Sequence, residues 1–231
     1  MWYFKIILLI SLAYLIGSIP FGLIISKWKF GIDIRTKGSG NIGSTNIMRT
    51  LGTKWGIIVQ LLDILKGTIS VVLLAIIIGS NWDILGKFGI SFVILKVIIG
   101  TAAVLGHIFS CFSGFKGGKG VNTTLGIFLA TLPIELIVGL CSFAIVVGLS
   151  GFVSLGSIIG SVMLPLVLVI RYNLFNVKIT DYFTLIYFVI GISLLLIISH
   201  KSNIVKLFKG NENKMEKMMF IKNYIKKLKQ M

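Results

Sequence analysis

VNTTLGIFLATLPIELIVGLCSFAIVVGL, residues 121–149, is the apolar run on which the fold of this chain turns. About 20 apolar residues carry a helix across a bilayer; this run is longer, with Pro133 and Glu135 near its middle. Read as one kinked helix, it gives the chain six spans. Read as two short helices meeting at the proline, which cannot continue a helix without losing a hydrogen bond, it gives seven. The parity decides whether the polar segments before and after it face the same side of the membrane.

The rest of the sequence sets that question in a membrane. Of 231 residues 56% are hydrophobic, only 13% are charged and three are proline, a composition far from that of a soluble domain. Further apolar segments run over 2–26, 54–79, 88–109, 153–170 and 182–199. Helices are expected throughout, because lipid offers no partner to an open backbone. The first segment is too long for a signal peptide and shows no small-residue cleavage site, so it is expected to remain as a span. Cys111 and Cys141 have no metal-ligand spacing and are expected as buried thiols.

Charge favours seven spans. With the first helix running from outside to inside, Lys27, Lys29, Arg35, Lys37, Arg49, Lys54, Lys116, Lys119 and nine lysines from Lys201 to Lys229 fall on the inner face, seventeen of the 23 basic residues. Lys5, Lys87, Arg171 and Lys178 fall on or near the outer side, the asymmetry expected of a cytoplasmic inner face. The expected fold is all-α: a polytopic integral membrane protein of about seven transmembrane helices, with 1–209 as the membrane domain and 210–231 as a basic cytoplasmic tail. In that tail Ile221, Tyr224, Ile225 and Leu228 share one helical face among lysines, as in a helix lying on an anionic leaflet; a solvated tail is the plain alternative.

On this topology three polar interruptions meet the cytoplasm. In FKGGKGVNTT the glycines Gly117, Gly118 and Gly120 allow successive N–H groups to point at one anion. Lys116 and Lys119 add positive charge, and the helix from Val121 offers its first amides. No Walker pattern is present, so nucleotide binding is not implied. In KGSGNIGSTNIMRT, Arg49 can bind phosphate bidentately, while Ser39, Asn41, Ser44, Thr45 and Asn46 supply neutral hydrogen bonds. In SHKSNIVKLFKGNEN, His200 and Asn203 share a face if the helix continues, and a histidine suits proton transfer near neutrality. Each is also readable as a plain polar loop. Within the apolar segments Asp63 and Lys66 are three apart and can pair along one helix face. Lys96 lines the bundle or snorkels, and His107 is expected as a helix-end residue with its hydrogen bonds met.

GSGNIGSTNIMR (38–49), GHIFSCFSGFKGGKGVNTTLG (106–126) and HKSNIVKLFKGNE (200–212), in this order and each after an apolar helix, resemble the three motifs of the bacterial acyl-phosphate:glycerol-3-phosphate acyltransferase family. YLIGSIPFGLIIS (14–26) and LLDILKG (61–67) look like the same family, so the resemblance covers nearly the whole chain to about residue 213. It implies a seven-helix enzyme of the bacterial inner membrane, its site facing the cytoplasm. It also implies transfer of an acyl chain from acyl phosphate to the 1-hydroxyl of glycerol-3-phosphate, giving lysophosphatidic acid and phosphate, the first step of phospholipid biosynthesis. By position the resemblance makes Ser39, Arg49, His200 and Asn203 essential, Gly117, Gly118, Lys119 and Gly120 the phosphate loop, and Glu212 a support of the fold.

Ile42 and Ser110 stand where that family commonly has proline, Ser44 and Asn122 where alanine is usual, and Lys201 where arginine is frequent. No metal, cofactor or nucleic-acid partner is expected; the partners are the two substrates and the bilayer. The H-x-x-x-x-D pattern of coenzyme-A-dependent acyltransferases is missing, since Phe112 lies five residues after His107 and Val205 five after His200. A transporter for a phosphate-bearing solute is the rival reading, but such proteins place their sites near the midplane and often show repeats, and none is evident here. A non-catalytic scaffold would not need three polar motifs.

Overall fold

The computed structural model describes residues 2–78 and 91–219; Lys87 and the tail face of Ile221, Tyr224, Ile225 and Leu228 lie outside them. The described residues are all-α, with no strand. In chain order the helices are α1 (Trp2–Ser18), α2 (Phe21–Phe30), α3 (Ser44–Leu51), α4 (Thr53–Ile78), α5 (Phe92–Ile108), α6 (Val121–Thr131), α7 (Pro133–Ser150), α8 (Val153–Asn173), α9 (Tyr182–Ser199) and α10 (Lys201–Phe208). They form two compact units, Met1–Leu132 and Pro133–Met231.

The boundary between the units falls inside the run quoted first. Leu132 leaves the helical region at φ −142°, ψ 63°, and Pro133 begins the next helix. The proline ring disfavours a helical residue before it and suits the first helical position itself, so the run is two helices. The same chemistry breaks the first apolar segment, expected as one helix: α1 and α2 meet at Ile19–Pro20 with a bend of 41°. Five described helices are individually long and apolar enough to span, and α1 with α2 makes a bent sixth. The expected seventh span falls on α6, whose 11 residues extend only about 16 Å against a hydrocarbon core of about 30 Å, so five or six spans are what the described helices supply.

In the first unit α1 packs on α5 and α4 on α6 through reciprocal glycines. A Cβ at Gly17 would lie 2.1 Å from the Ala103 carbonyl, and one at Gly106 2.2 Å from that of Tyr14. Gly67 and Gly126 face Thr123 and Ile64 in the same way at 2.2 and 2.0 Å. Lipid exerts no hydrophobic pressure between helices, so close backbone approach through small residues is what holds them. Under the first polar motif, Leu23, Ile25, Ile34, Ile42, Ile47 and Val59 form a core cluster, so Ile42 is an anchor of this loop.

In the second unit α7 and α8 form an antiparallel hairpin turning at Gly151–Phe152, with Gly139 and Gly160 in mutual close approach. Glu135, in the first turn of α7 and fully buried, pairs with Arg171 in the last turn of α8. Each charge sits at the helix end whose dipole favours it. Phe183, Tyr187, Leu194 and Ile198 form an exposed stripe along α9, the face a lipid environment covers. Neither cysteine is buried as expected: Cys111 is half-buried and Cys141 is exposed on α7. A thiol behaves as a small hydrophobe and is accommodated on an apolar outer face.

Candidate active site

The first motif is a loop wound around one side chain. Asn46, at 2% exposure, donates from Nδ2 to the carbonyls of Lys37 (3.0 Å) and Asn41 (2.9 Å), with a longer contact to that of Ile34 (3.4 Å). Its Oδ1 accepts the Ser39 amide at 2.9 Å. The Asn46 amide is thus committed to protein partners on both its atoms, and it positions Ser39 instead of offering hydrogen bonds to a ligand as the sequence suggested. Gly38 takes φ +57° directly over Asn46, where a Cβ would lie 2.2 Å from Oδ1. Asn41 makes a local turn by accepting the Gly43 amide at 2.8 Å. Ser39 itself is exposed, and Arg49 is half-buried on the last turn of α3. Ahead of the motif, Asp33 takes a bidentate pair from Arg35 at 2.9 and 2.6 Å. That guanidinium holds the Asp33 carboxyl well below the usual carboxylate range, and Asp33 in turn raises the pKa of Arg35.

The glycine loop is tied to the end of α5. The Gly117 amide donates to the Ile108 carbonyl at 2.9 Å and the Gly118 amide to the His107 carbonyl at 3.0 Å. These two amides satisfy the orphan carbonyls of α5, so the expectation that they point at an anion is corrected. The two glycines serve as the close-packed base of the loop. Gly120, at φ +84°, starts α6, whose first-turn amides have no intrahelical acceptors. Lys116 is exposed and Lys119 half-buried beside them. Ser110 is 1% exposed and donates to the Ser18 carbonyl, pinning the loop to the end of α1.

Beneath the loop lies a buried polar cluster. Asp63 and Lys66 pair along α4 as their spacing predicts, at 2.8 Å with 3% exposure each. Lys66 also donates to the Ile19 carbonyl at 2.9 Å, beside the α1–α2 break. His107 reaches 3.6 Å from Asp63 through Nδ1, beyond hydrogen-bond distance, so the expectation of a fully satisfied helix-end histidine fails at that atom. Its ring sits directly against Gly118. Lys96 lays its ammonium 4.3 Å from the Phe92 ring centroid, one turn earlier on α5.

A side-chain contact joins the first two motifs. Asn122, in the first turn of α6, donates from Nδ2 to the Ser44 hydroxyl at the start of α3, at 2.9 Å. Seventy-eight residues separate the two, so no local pattern pointed to it.

In the second unit α9 stops at Ser199, and His200 sits between helices at φ −93°, ψ 8°. The helix does not continue unbroken through His200: a junction separates it from Asn203, which lies in the first turn of α10. His200 is 3% exposed, and its Nδ1 lies 2.8 Å from the Leu196 carbonyl. A carbonyl only accepts, so the proton is on Nδ1, and in the neutral ring Nε2 carries the lone pair. Asn203 donates to Glu212 Oε1 at 2.8 Å, and Ser154 donates to the same oxygen at 3.0 Å. Glu212 is 8% exposed and ties the first turn of α10 to Ser154 at the start of α8. Ser154, far away in sequence and without a motif, was not foreseen. Among the described residues no group of three metal-ligating side chains gathers.

A family model described as Glycerol-3-phosphate acyltransferase matches residues 7–210. A glycerol-3-phosphate acyltransferase of Chlorobaculum tepidum is 40% identical over 223 residues, covering 90% of this chain and 95% of the relative. Glycerol-3-phosphate acyltransferase 3 of Dehalococcoides mccartyi is 41% identical over 216 residues, covering 91% and 96%. Crystal structures of PlsY, an integral membrane glycerol 3-phosphate acyltransferase, match at 37% identity. The glycerol 3-phosphate form superposes with TM-score 0.76 over 91% of this chain and 95% of that one. The lysophosphatidic acid form does so with 0.73 over 90% and 94%.

Proposed function

Because the chain belongs to the glycerol-3-phosphate acyltransferase family, we propose that this multi-pass membrane protein takes its acyl group from an acyl phosphate and passes it to the 1-hydroxyl of glycerol-3-phosphate. The observation that supports the donor is the Asn122–Ser44 bond, which holds the Arg49 helix and the lysine-bearing glycine loop side by side. Two phosphate-binding elements in contact suit a reaction between two phosphorylated substrates, whose mutual repulsion needs cationic and amide screening. Neither histidine lies in the pattern used by coenzyme-A-dependent acyltransferases.

In the proposed reaction the hydroxyl oxygen attacks the acyl carbonyl carbon and forms the ester bond, while the bond from that carbon to the phosphate oxygen breaks. The hydroxyl proton ends on the released phosphate, either directly or relayed through His200 Nε2. Acyl phosphate is already an activated anhydride, so alignment supplies much of the rate. Arg49 and Ser39 bind one phosphate; Lys119, Lys116 and the first-turn amides of α6 bind the other. Asn203, fixed by Glu212, orients a substrate oxygen. The acyl chain lies in lipid along the apolar helices, and the three motifs face the cytoplasm of a bacterial inner membrane, where glycerol-3-phosphate arrives.

The test is phosphate release and lysophosphatidic acid formation by purified protein given glycerol-3-phosphate with palmitoyl phosphate or palmitoyl-coenzyme A. Product from the acyl phosphate alone is expected; product from the coenzyme A ester alone overturns the donor. A His200→Gln variant that keeps full turnover makes the phosphate its own proton acceptor. Loss of about 10² to 10⁴ in rate is the size of a relay through the ring.

A further inference from the structure

We propose that Asn122 and Ser44 act as a coupled pair of positioning residues that sets the spacing between the Arg49 helix and the glycine loop, and with it the affinity of this enzyme for glycerol-3-phosphate. The inference rests on the reading above only in taking both elements to bind phosphate.

The geometry is specific. Ser44 is the first residue of α3, 7% exposed, and Arg49 lies on the last turn of the same short helix. Asn122 lies two residues after Gly120, where the glycine loop becomes α6. Their bond at 2.9 Å is therefore a strut between the starts of two helices, each carrying one phosphate-binding element. The surroundings make it a strut with consequences. Asn46 holds the loop before α3, and Gly117 and Gly118 hold the glycine loop to α5, so each element is rigid within itself. The Asn122–Ser44 bond is a side-chain contact that crosses from one to the other. A serine alone or an asparagine alone would leave a half-buried polar group facing a methyl, whereas the two satisfy each other.

This yields a non-additive signature. Removing one partner strands the other, while removing both leaves two methyl groups and no orphan. A group that fixes the distance between two phosphate-binding elements sets how the bound substrate is held, so its loss appears in Kd and KM, and any misalignment of the substrates adds a loss in kcat.

The experiment is a double-mutant cycle in detergent with Ser44→Ala, Asn122→Ala, the double variant and Ser44→Thr as a hydroxyl-keeping control. Calorimetric titration with glycerol-3-phosphate gives Kd, turnover gives KM and kcat, and size-exclusion elution establishes that each variant is folded. Each single alanine is expected to weaken Kd and KM about five- to tenfold, the size of a lost hydrogen bond that orphans a partner. The double variant is expected to bind more tightly than the weaker single variant, and S44T to match the parent. Multiplicative effects in the double variant, unchanged affinity in the singles, or a loss confined to kcat overturns the proposal. Should S44A or N122A not fold, S44T against Asn122→Ser carries the comparison, and loss of affinity in N122S with S44T intact is the supporting result. Because Kd is read without a donor, a parent that binds glycerol-3-phosphate but ignores palmitoyl phosphate overturns the donor reading and leaves this cycle decisive.

Discussion

Replacing Gly118 by alanine tests the seating of the glycine loop. The new Cβ would lie 2.2 Å from His107 Nε2, 3.0 Å from Cε1 and 3.1 Å from Cδ2, and these ring atoms are its three nearest neighbours. Reaching an ordinary contact of 3.4 Å from 2.2 Å requires a shift of about 1.2 Å. The ring has little room to supply it: His107 is 5% exposed, faces Asp63 and accepts the Gly118 amide through its own carbonyl. The loop moves instead, carrying Lys119 and the start of α6 with it. Misplacement by about 1 Å costs about 10²-fold in rate, so G118A is expected to lose about two orders of magnitude in kcat/KM while remaining folded. Turnover by purified protein and a thermal melt in detergent are the assays. Gly191→Ala, where nothing lies within 4 Å, is the control and keeps parental activity. In a His107→Ala background the clash is gone, so adding G118A is expected to cost less than about threefold there, on the same steric argument. Parental kcat/KM in folded G118A, or an undiminished further loss in the double variant, refutes the reasoning.

Breaking the Glu135–Arg171 pair by Glu135→Ala strands a charge in the membrane unit and is expected to cost about 3 kcal/mol of stability. That is the low end of the range for buried pairs, since Arg171 is 22% exposed; thermal inactivation measures it, and a joint Glu135→Leu/Arg171→Met change restores it. Glu212→Ala removes the acceptor of both Asn203 and Ser154 and is expected to lower turnover as far as Asn203→Ala does. The double variant should be no worse than either, because residues acting as one unit do not add. The Asp33 carboxyl is held below its unfolded pKa by Arg35, so its stabilising effect is present above about pH 4 and fades as the pH falls through the lower folded value. Melts of the parent and Asp33→Asn are expected to differ by a small constant amount from pH 5 to 8 and to converge in acid. A difference that grows on acidification overturns the assignment.

The membrane fold was legible in the sequence because apolar length and proline chemistry are local. The spans needed only their own residues, Pro133 marked the helix boundary at Leu132, and Asp63 and Lys66 announced their pairing by a spacing of three. The glycine, arginine and histidine motifs were readable in the same way, as residue types whose chemistry suits phosphate. What those residues do with their hydrogen bonds was decided only by tertiary structure. The Gly117 and Gly118 amides, free to face an anion as far as sequence goes, are taken by carbonyls of α5. Asn46 reads like a ligand and turns out to be the hub of its loop. Whether the helix continued through His200 was open in the sequence, and the structure places a junction there. Ser44 finds Asn122, and Ser154 finds Glu212, across 78 and 58 residues. Periodicity carries information about a helix's own face, but a hydrogen bond between distant segments depends on where packing brings them, and one sequence holds no local trace of that.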